Sequence, residues 1–393
     1  MAEAKVNTFQ NIQIQGYRRL ADVNLKLERL NVMIGANGCG KTSLLDIFSL
    51  LAASASGGLK SHIKDMGGVD ANLSQLPFEA GEKAQYLRME IERGVDGYAP
   101  LKYAISLRPA GTSYQITDES LTQRNDPKRP KPMIHLESVH GRVRYFDTTT
   151  SKLKPPNWEF DEMESALSQV AKMYPEPERF RSTLSSSTYY HTLDVSPRAP
   201  VRLPQQMREA FLPGKNGEDL VTCLYWMREA SPDRFEIVED TLRLAFPNFE
   251  RLNFPPVASG LLALTWKDRE IKQPFFLHQL SEGTLRFLWL VTLLYSPGLT
   301  EVTLLDEPEV SLHPELLSVL ADCLREASQR TQLIVATHAD RLIRFLKPEE
   351  VVTFNLENGV SSVARAVDLD LDTWLKEYTL DELWGHGRIG GRS

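Results

Sequence analysis

Cysteine is scarce in this 393-residue chain, with only Cys39, Cys223 and Cys323. They lie far apart and none forms a C-x-x-C pair, which argues against a zinc site or a disulfide framework and fits a reducing cytoplasm. Long apolar runs are missing as well. The most apolar stretch, 285–295, falls well short of the ~20 residues that a bilayer-spanning helix needs, so a core helix is expected there and no membrane partner. Residues 1–7 are polar and no apolar segment comes after them, so no signal peptide is expected. No heptad pattern is sustained, which argues against long coiled-coil arms, and no internal repeat or low-complexity tract is evident. Excess positive charge is also absent: the formal net charge is −7, so bulk electrostatics do not draw in a polyanion, although a local basic patch is compatible with that balance. No aromatic-basic platform for nucleic acid is visible.

What is present is a globular composition, 42% hydrophobic and 9% aromatic, on a chain long enough for one large domain or two ordinary ones. Its organising stretch is Gly35-Ala36-Asn37-Gly38-Cys39-Gly40-Lys41-Thr42, with the spacing GxxxxGK[ST] of a phosphate-binding loop. Residues 30–34 read as a buried strand, and the segment opened by Ser43 puts Leu44, Leu45, Phe48 and Leu51 on one helical face, so the loop falls between strand and helix. Glycines there let backbone N–H groups turn onto phosphates, and the helix N-terminus adds positive potential. Lys41 can reach the β- and γ-phosphates, and the Thr42 hydroxyl is placed for Mg²⁺. The implied ligand is a nucleoside triphosphate.

Around the loop, alternation at Ile12 and Ile14, at Val23, Leu25 and Leu27, at Leu87, Met89 and Ile91, and at Leu101, Tyr103, Ile105 and Leu107 predicts strands; so does 134–146. Residues 54–81 read as loops with a short helix, 124–132 as an exposed basic turn, and 152–156 as a breaker cluster. Residues 159–249 read as mostly helical, and strand pattern returns at 261–266 and 274–277. The expected division is an N-terminal lobe at 1–150 with the phosphate loop and an antiparallel β section, a helical insertion at 151–253, and a C-terminal lobe at 254–393.

The C-terminal lobe carries the remaining chemistry. Leu280-Ser281-Glu282-Gly283-Thr284 opens a helix with Ser281 as N-cap, and the Ser281 hydroxyl and Gly283 backbone at that helix end form an anion site. The strand 302–306 ends in Asp306, which can hold Mg²⁺, and Glu307, which can polarise water for in-line attack. Residues 309–314 lead into a helix with Pro314 suited to its first turn. The strand 333–337 ends at His338, placed to donate to the γ-phosphate, and Asp340 is expected to cap the next helix.

The ordered set of phosphate loop, LSEGT, LLDEPE, SLHP and ATH resembles the head domain of an ABC-type ATPase, more narrowly the RecF/SMC/OLD-like branch. The likeness is close over the first fifty residues and 280–354. It implies an α/β P-loop NTPase fold with a mixed core sheet flanked by helices, bound ATP and Mg²⁺, and two copies pairing head-to-tail, so that Lys41 and Thr42 of one face Ser281 and Gly283 of the other. Gly35, Ala36, Asn37, Gly38, Cys39, Gly40, Lys41, Thr42 and Ser43 would hold the nucleotide, Thr42 and Asp306 the metal, and Glu307 and His338 would act on the γ-phosphate. A Mg²⁺-contacting glutamine is implied too, with Gln75 and Gln85 as candidates. Glu282 and Thr284 depart from the LSGGQ signature, which disfavours a transporter subunit. Many OLD-like proteins continue into a Toprim nuclease domain. The acids at 368–372 resemble one element of it, but the stretch from 373 to 393 is expected to be too short for such a domain. A solvated turn before a helix at 373–378 is expected instead, with Leu383 and Trp384 folding back on the core. A homodimeric cytoplasmic ATPase working with a separate effector such as a nuclease, and with DNA, in repair or anti-phage defence is the leading expectation. A transporter subunit and a non-hydrolysing ATP sensor are the alternatives.

Overall fold

The computed structural model describes residues 8–75, 83–124, 131–169, 175–369 and 378–386. A six-stranded sheet runs through the centre in the order Thr188–Tyr190, Val302–Asp306, Gln332–Ala336, Leu30–Gly35, Val351–Glu357 and Val360–Arg365. The first five strands are parallel and the last is antiparallel. Its middle strands are continuous apolar runs because both faces are covered, as parallel strands require. Val32, Leu305, Leu333 and Val335 point into one hydrophobic cluster, while Met33, Leu304, Ile334 and Ala336 point into a second on the opposite face.

The first cluster is filled by the helices Leu220–Ala230, Pro232–Ala245, Glu282–Tyr295 and Leu316–Ala327. The apolar run expected as a core helix is one: Leu285, Phe287, Leu288, Leu290, Leu293 and Leu294 are almost wholly buried, each worth about 1.5–3 kcal/mol in transfer from water. The second cluster holds the phosphate-loop helix Lys41–Ser56 between the central sheet and an eight-stranded antiparallel sheet. That sheet runs from Leu20–Lys26 and Phe9–Tyr17 through Leu87–Val95, Tyr98–Ala110, Ser113–Gln123, Met133–Val139 and Arg142–Asp147 to Lys152–Lys154.

Several local expectations are corrected. Residues 152–156 are not simply a breaker, since Lys152–Lys154 pairs with 145–147 as the outermost strand. The 159–249 stretch is not only helical: Thr188–Tyr190 joins the central sheet beside the strand that ends at Asp306. Pro314 precedes its helix, whose N-cap is Glu315. Asp340 is the first helical residue rather than the cap, which is Ala339. Leu383 and Trp384 do fold back, nearly buried in the helix Leu380–Gly385. The helix expected at 373–378 and most of the basic turn at 124–132 lie outside the described residues, as does the chain beyond residue 386.

Candidate nucleotide site

The phosphate loop turns as its glycines demand. Gly40 has φ +103°, and a Cβ there would fall 2.7 Å from the Ser361 Oγ, whose hydroxyl donates to the Cys39 carbonyl at 2.6 Å. At Gly35 a Cβ would lie 2.3 Å from the Phe354 carbonyl oxygen, so loop and neighbouring strand approach closely only because that side chain is missing. Over Gly38 the space is open. Asn37 and Thr42 are exposed, whereas Cys39, Lys41 and Ser43 are buried. The helix opened by Lys41 has no acidic residue in its first turn, so its N-terminal positive potential is uncompensated from within.

Lys41 Nζ donates to the carbonyls of Gly35 at 2.6 Å and Ala36 at 3.1 Å and lies 3.4 Å from His338 Nδ1. Burial lowers its pKa; the thiol of Cys39 and the carboxylates of Glu307 and Asp306 act the other way. Asp306 accepts a hydrogen bond from the Tyr189 hydroxyl at 2.9 Å. Burial raises its pKa, that hydrogen bond opposes the rise, and the adjacent Glu307 adds to it. Glu307 Oε1 lies 3.5 Å from His338 Nε2. Burial and the charge of Lys41 push the His338 pKa below its ordinary value, so the imidazole is neutral at pH 7. Lys41, Asp306, Glu307 and His338 therefore meet at the carboxyl ends of three adjacent parallel strands, where open α/β sheets place their ligands.

Ser281 and Gly283 stand apart from this cluster. The Ser281 Oγ accepts from the Thr284 N–H at 3.2 Å, the expected cap, and the residue is exposed. A Cβ on Gly283 would lie 2.5 Å from the Ser311 carbonyl oxygen, and Arg286 Nη1 donates to the Ser311 hydroxyl at 2.7 Å and the Val310 carbonyl at 3.3 Å. The capped helix is thus clamped to the loop after Glu307, and none of the described hydrogen bonds joins it to the phosphate loop of its own chain.

Four neighbours escaped the sequence reading: Tyr189, His191, Arg286 and Glu309. The rings of Tyr189 and His191 lie with centres 4.0 Å apart and planes tilted by 38° at the end of the strand beside Asp306. The Thr-Tyr-Tyr triplet at 188–190 was the available β signal, hidden among prolines and helical pattern. Glu309 Oε1 accepts from the Thr337 hydroxyl at 2.6 Å, the His338 N–H at 3.0 Å and the Ala339 N–H at 3.2 Å. None of the described hydrogen bonds joins either glutamine candidate to this group: Gln75 pairs with Lys83, and Gln85 lines a polar groove with Gln15, Arg88 and Arg108 on the antiparallel sheet.

The donor set fits a Mg²⁺-triphosphate, with an open, glycine-shaped loop at a helix N-terminus, a lysine, an exposed threonine and a strand-end carboxylate. Among the described residues no group of three or more His, Cys, Asp or Glu could hold a metal ion by itself. None of the described helices is long and apolar enough to cross a membrane.

Loop, strand-end carboxylates, neighbouring histidine and serine-capped helix together define a P-loop NTPase with an ABC-type head. The family model described as "AAA domain, putative AbiEii toxin, Type IV TA system" matches residues 30–344, and the chain belongs to that family. No curated protein matches its sequence. Among solved structures it is similar to an SMC head bound to the C-winged helix domain of ScpA, at 16% identity and TM-score 0.55, covering 91% of this chain and 97% of that one. It is also similar to the Smc head of Pyrococcus furiosus with an extended coiled coil, bound to the C-terminal domain of ScpA, at 13% identity and TM-score 0.52 over 94% and 98%. At these identities the likeness establishes the fold alone, that of a P-loop NTPase with an ABC-type head.

Proposed function

We propose that this chain is an ATP-hydrolysing switch: two copies close head-to-tail around ATP, hydrolysis reopens them, and the motion drives a separately encoded effector. The observation that carries the reading is the division of the chemistry into two surfaces, Lys41 with Asp306, Glu307 and His338 on one, and exposed Ser281 with Gly283 on the other. Each is half of a site that a second copy would complete. Gly35, Ala36, Asn37, Gly38, Cys39, Gly40, Lys41, Thr42 and Ser43 bind the nucleotide; Thr42 and Asp306 would hold Mg²⁺, which would supply charge neutralisation at the phosphates. Glu307 takes the proton of the attacking water, and neutral His338 donates toward the γ-phosphate. Ser281 and the backbone at Gly283 contact the triphosphate of the partner copy.

Between 1–150 and 254–393, residues 151–253 add the edge strand Thr188–Tyr190 to the central sheet and the helices Leu220–Ala230 and Pro232–Ala245 to its core. Solved heads of similar fold carry bound ScpA domains, which supports a protein effector here; a nuclease acting with DNA in repair or phage defence, in the cytoplasm, is the specific form we favour. The test is phosphate release by the wild type and by Lys41→Ala, with mass measured by light scattering with and without ATP. Lysine-dependent hydrolysis and an ATP-dependent dimer support the reading. Lysine-independent hydrolysis, or a monomer at saturating ATP, overturns it.

A further inference from the structure

Glu309 is a half-buried residue whose carboxylate is turned away from water, and the hydrolysis scheme leaves it without a role. Its Oε1 gathers three donors from one short segment: the Thr337 hydroxyl, the His338 N–H and the Ala339 N–H. That segment has just left the central sheet. The strand Gln332–Ala336 ends one residue earlier, and the Thr337 N–H is still satisfied by the Met33 carbonyl at 3.1 Å. The next two N–H groups have no strand partner, and they turn to a side-chain acceptor instead. Glu309 supplies it, and the Thr337 hydroxyl adds a second acceptor for Ala339 at 3.0 Å.

A carboxylate is a costly choice for this position. Burying it carries a desolvation penalty that a packing residue would avoid, offset only by charge-assisted bonds such as these three. What they fix is the backbone on which the His338 ring hangs, 3.4 Å from Lys41 and 3.5 Å from Glu307. The same loop continues to Val310 and Ser311, which hold the serine-capped helix through Arg286. We propose that Glu309 is a positioning residue: by clamping residues 337–339 to the loop after Glu307, it sets the His338 ring in register with Lys41 and Glu307 and links that ring to the capped helix. Its effect on turnover rests on the hydrolytic reading above, but the geometry does not.

The experiment compares wild type, Glu309→Ala, Glu309→Gln, His338→Ala and the double variant Glu309→Ala/His338→Ala. Misplacing a reacting group by about 1 Å costs on the order of 100-fold, so Glu309→Ala is expected to lose kcat on that scale with KM for ATP little changed. Glu309→Gln, which keeps a carbonyl acceptor, is expected to recover most of it. The double variant should be no slower than His338→Ala alone. A double variant slower by the full Glu309→Ala factor overturns the proposal, because the two residues then act independently.

A second readout needs no turnover. In histidine-labelled protein, the ring signal that vanishes in His338→Ala should shift in Glu309→Ala and return toward its wild-type position in Glu309→Gln. An unmoved His338 signal in Glu309→Ala overturns the proposal even where hydrolysis is intact. A wild type that hydrolyses nothing, together with a shifted His338 signal in Glu309→Ala, overturns the function and supports the positioning.

Discussion

Glu307 sits on a left-handed backbone, φ +48°, with its Oε1 3.5 Å from the Nε2 of His338. A non-glycine residue held in that region costs about 1–3 kcal/mol and persists only where its surroundings fix it. Here the Glu307 N–H donates to the Ala336 carbonyl at 2.8 Å, pinning the turn to the strand that carries His338. Adjacent carboxylates are thereby sent to different neighbours, Asp306 to the Tyr189 hydroxyl and Glu307 to the imidazole. Two acids side by side in sequence can then do different work.

Replacing Glu307 by Gln keeps the shape and removes the base. Nucleotide binding is expected to survive while phosphate release falls by about 10²–10⁴-fold, the usual contribution of a general base. The ATP-dependent dimer should accumulate instead of turning over, visible as a persistent doubled mass in light scattering. Turnover at the wild-type rate would place the base elsewhere.

Ser281→Arg tests the second surface. Losing the cap to the Thr284 N–H costs about 0.5–2 kcal/mol, so the monomer should still fold with a modestly lower Tm. A bulky cation on an exposed helix N-terminus that is meant to receive a partner's triphosphate should nevertheless abolish the ATP-dependent dimer. Single-copy nucleotide binding is expected to be unchanged, since none of the described hydrogen bonds ties Ser281 to its own phosphate loop. Dimerisation by the variant would refute the assignment of this surface.

The parts legible in the sequence were those in which one short segment carries both pattern and chemistry. The phosphate loop between strand and helix, the buried helix after Ser281 and the strand ending at Asp306 all lie where their residues predicted. What escaped depends on contacts across long separations. Tyr189 reaches Asp306 only because three residues from a proline-rich stretch add an edge strand to the central sheet. The strand Ser113–Gln123 was not recognised because its inward positions include the charged Glu119 and a bulge at 106/107 shifts its register. Glu309 looked like part of a turn, and only the fold brings residues 337–339 to it.

Gly283→Ala would place a Cβ 2.5 Å from the backbone oxygen of Ser311, an atom that cannot rotate away. Alanine gains up to about 1 kcal/mol of helix propensity over glycine. Overpacking costs about 1–3 kcal/mol, so the net expectation is a lower Tm and a loosened contact between the capped helix and the loop. A Tm equal to or above wild type in a thermal scan would show that the helix and loop do not meet so closely.

Tyr189→Phe removes the hydroxyl that donates to Asp306. Burial already raises the Asp306 pKa, and this hydrogen bond is the larger of two influences opposing the rise, ahead of His191, so the variant's pKa is expected to climb further. Metal binding by Asp306 requires the carboxylate, and that form is lost as pH falls through its pKa. The acid limb of the kcat/KM profile should therefore move to higher pH in the variant, with little change near pH 8. Superimposable profiles would remove Tyr189 from the site.

Glu119 gives a prediction about stability rather than activity. Its carboxylate is wholly buried and accepts from the Ala166 N–H at 2.7 Å, the Leu167 N–H at 2.8 Å and the Tyr103 hydroxyl at 3.0 Å. Burial raises its pKa, and the hydrogen bonds recover only part of the shift. The folded chain then holds a proton that the unfolded chain releases. The stabilisation from that proton is complete below the ordinary carboxylate pKa of about 4.3 and is lost as pH rises through the higher folded value. Glu119→Gln is neutral throughout and keeps a carbonyl acceptor for part of the network. Relative to this variant, wild type should lose stability as pH is raised from about 4.5 toward 8, by at most about 1.4 kcal/mol per pH unit while the group titrates. Thermal unfolding of both proteins across that range reads the difference directly. Parallel curves would mean that Glu119 is ionised in the folded chain at its ordinary value, with the two N–H groups and the tyrosine fully offsetting its burial.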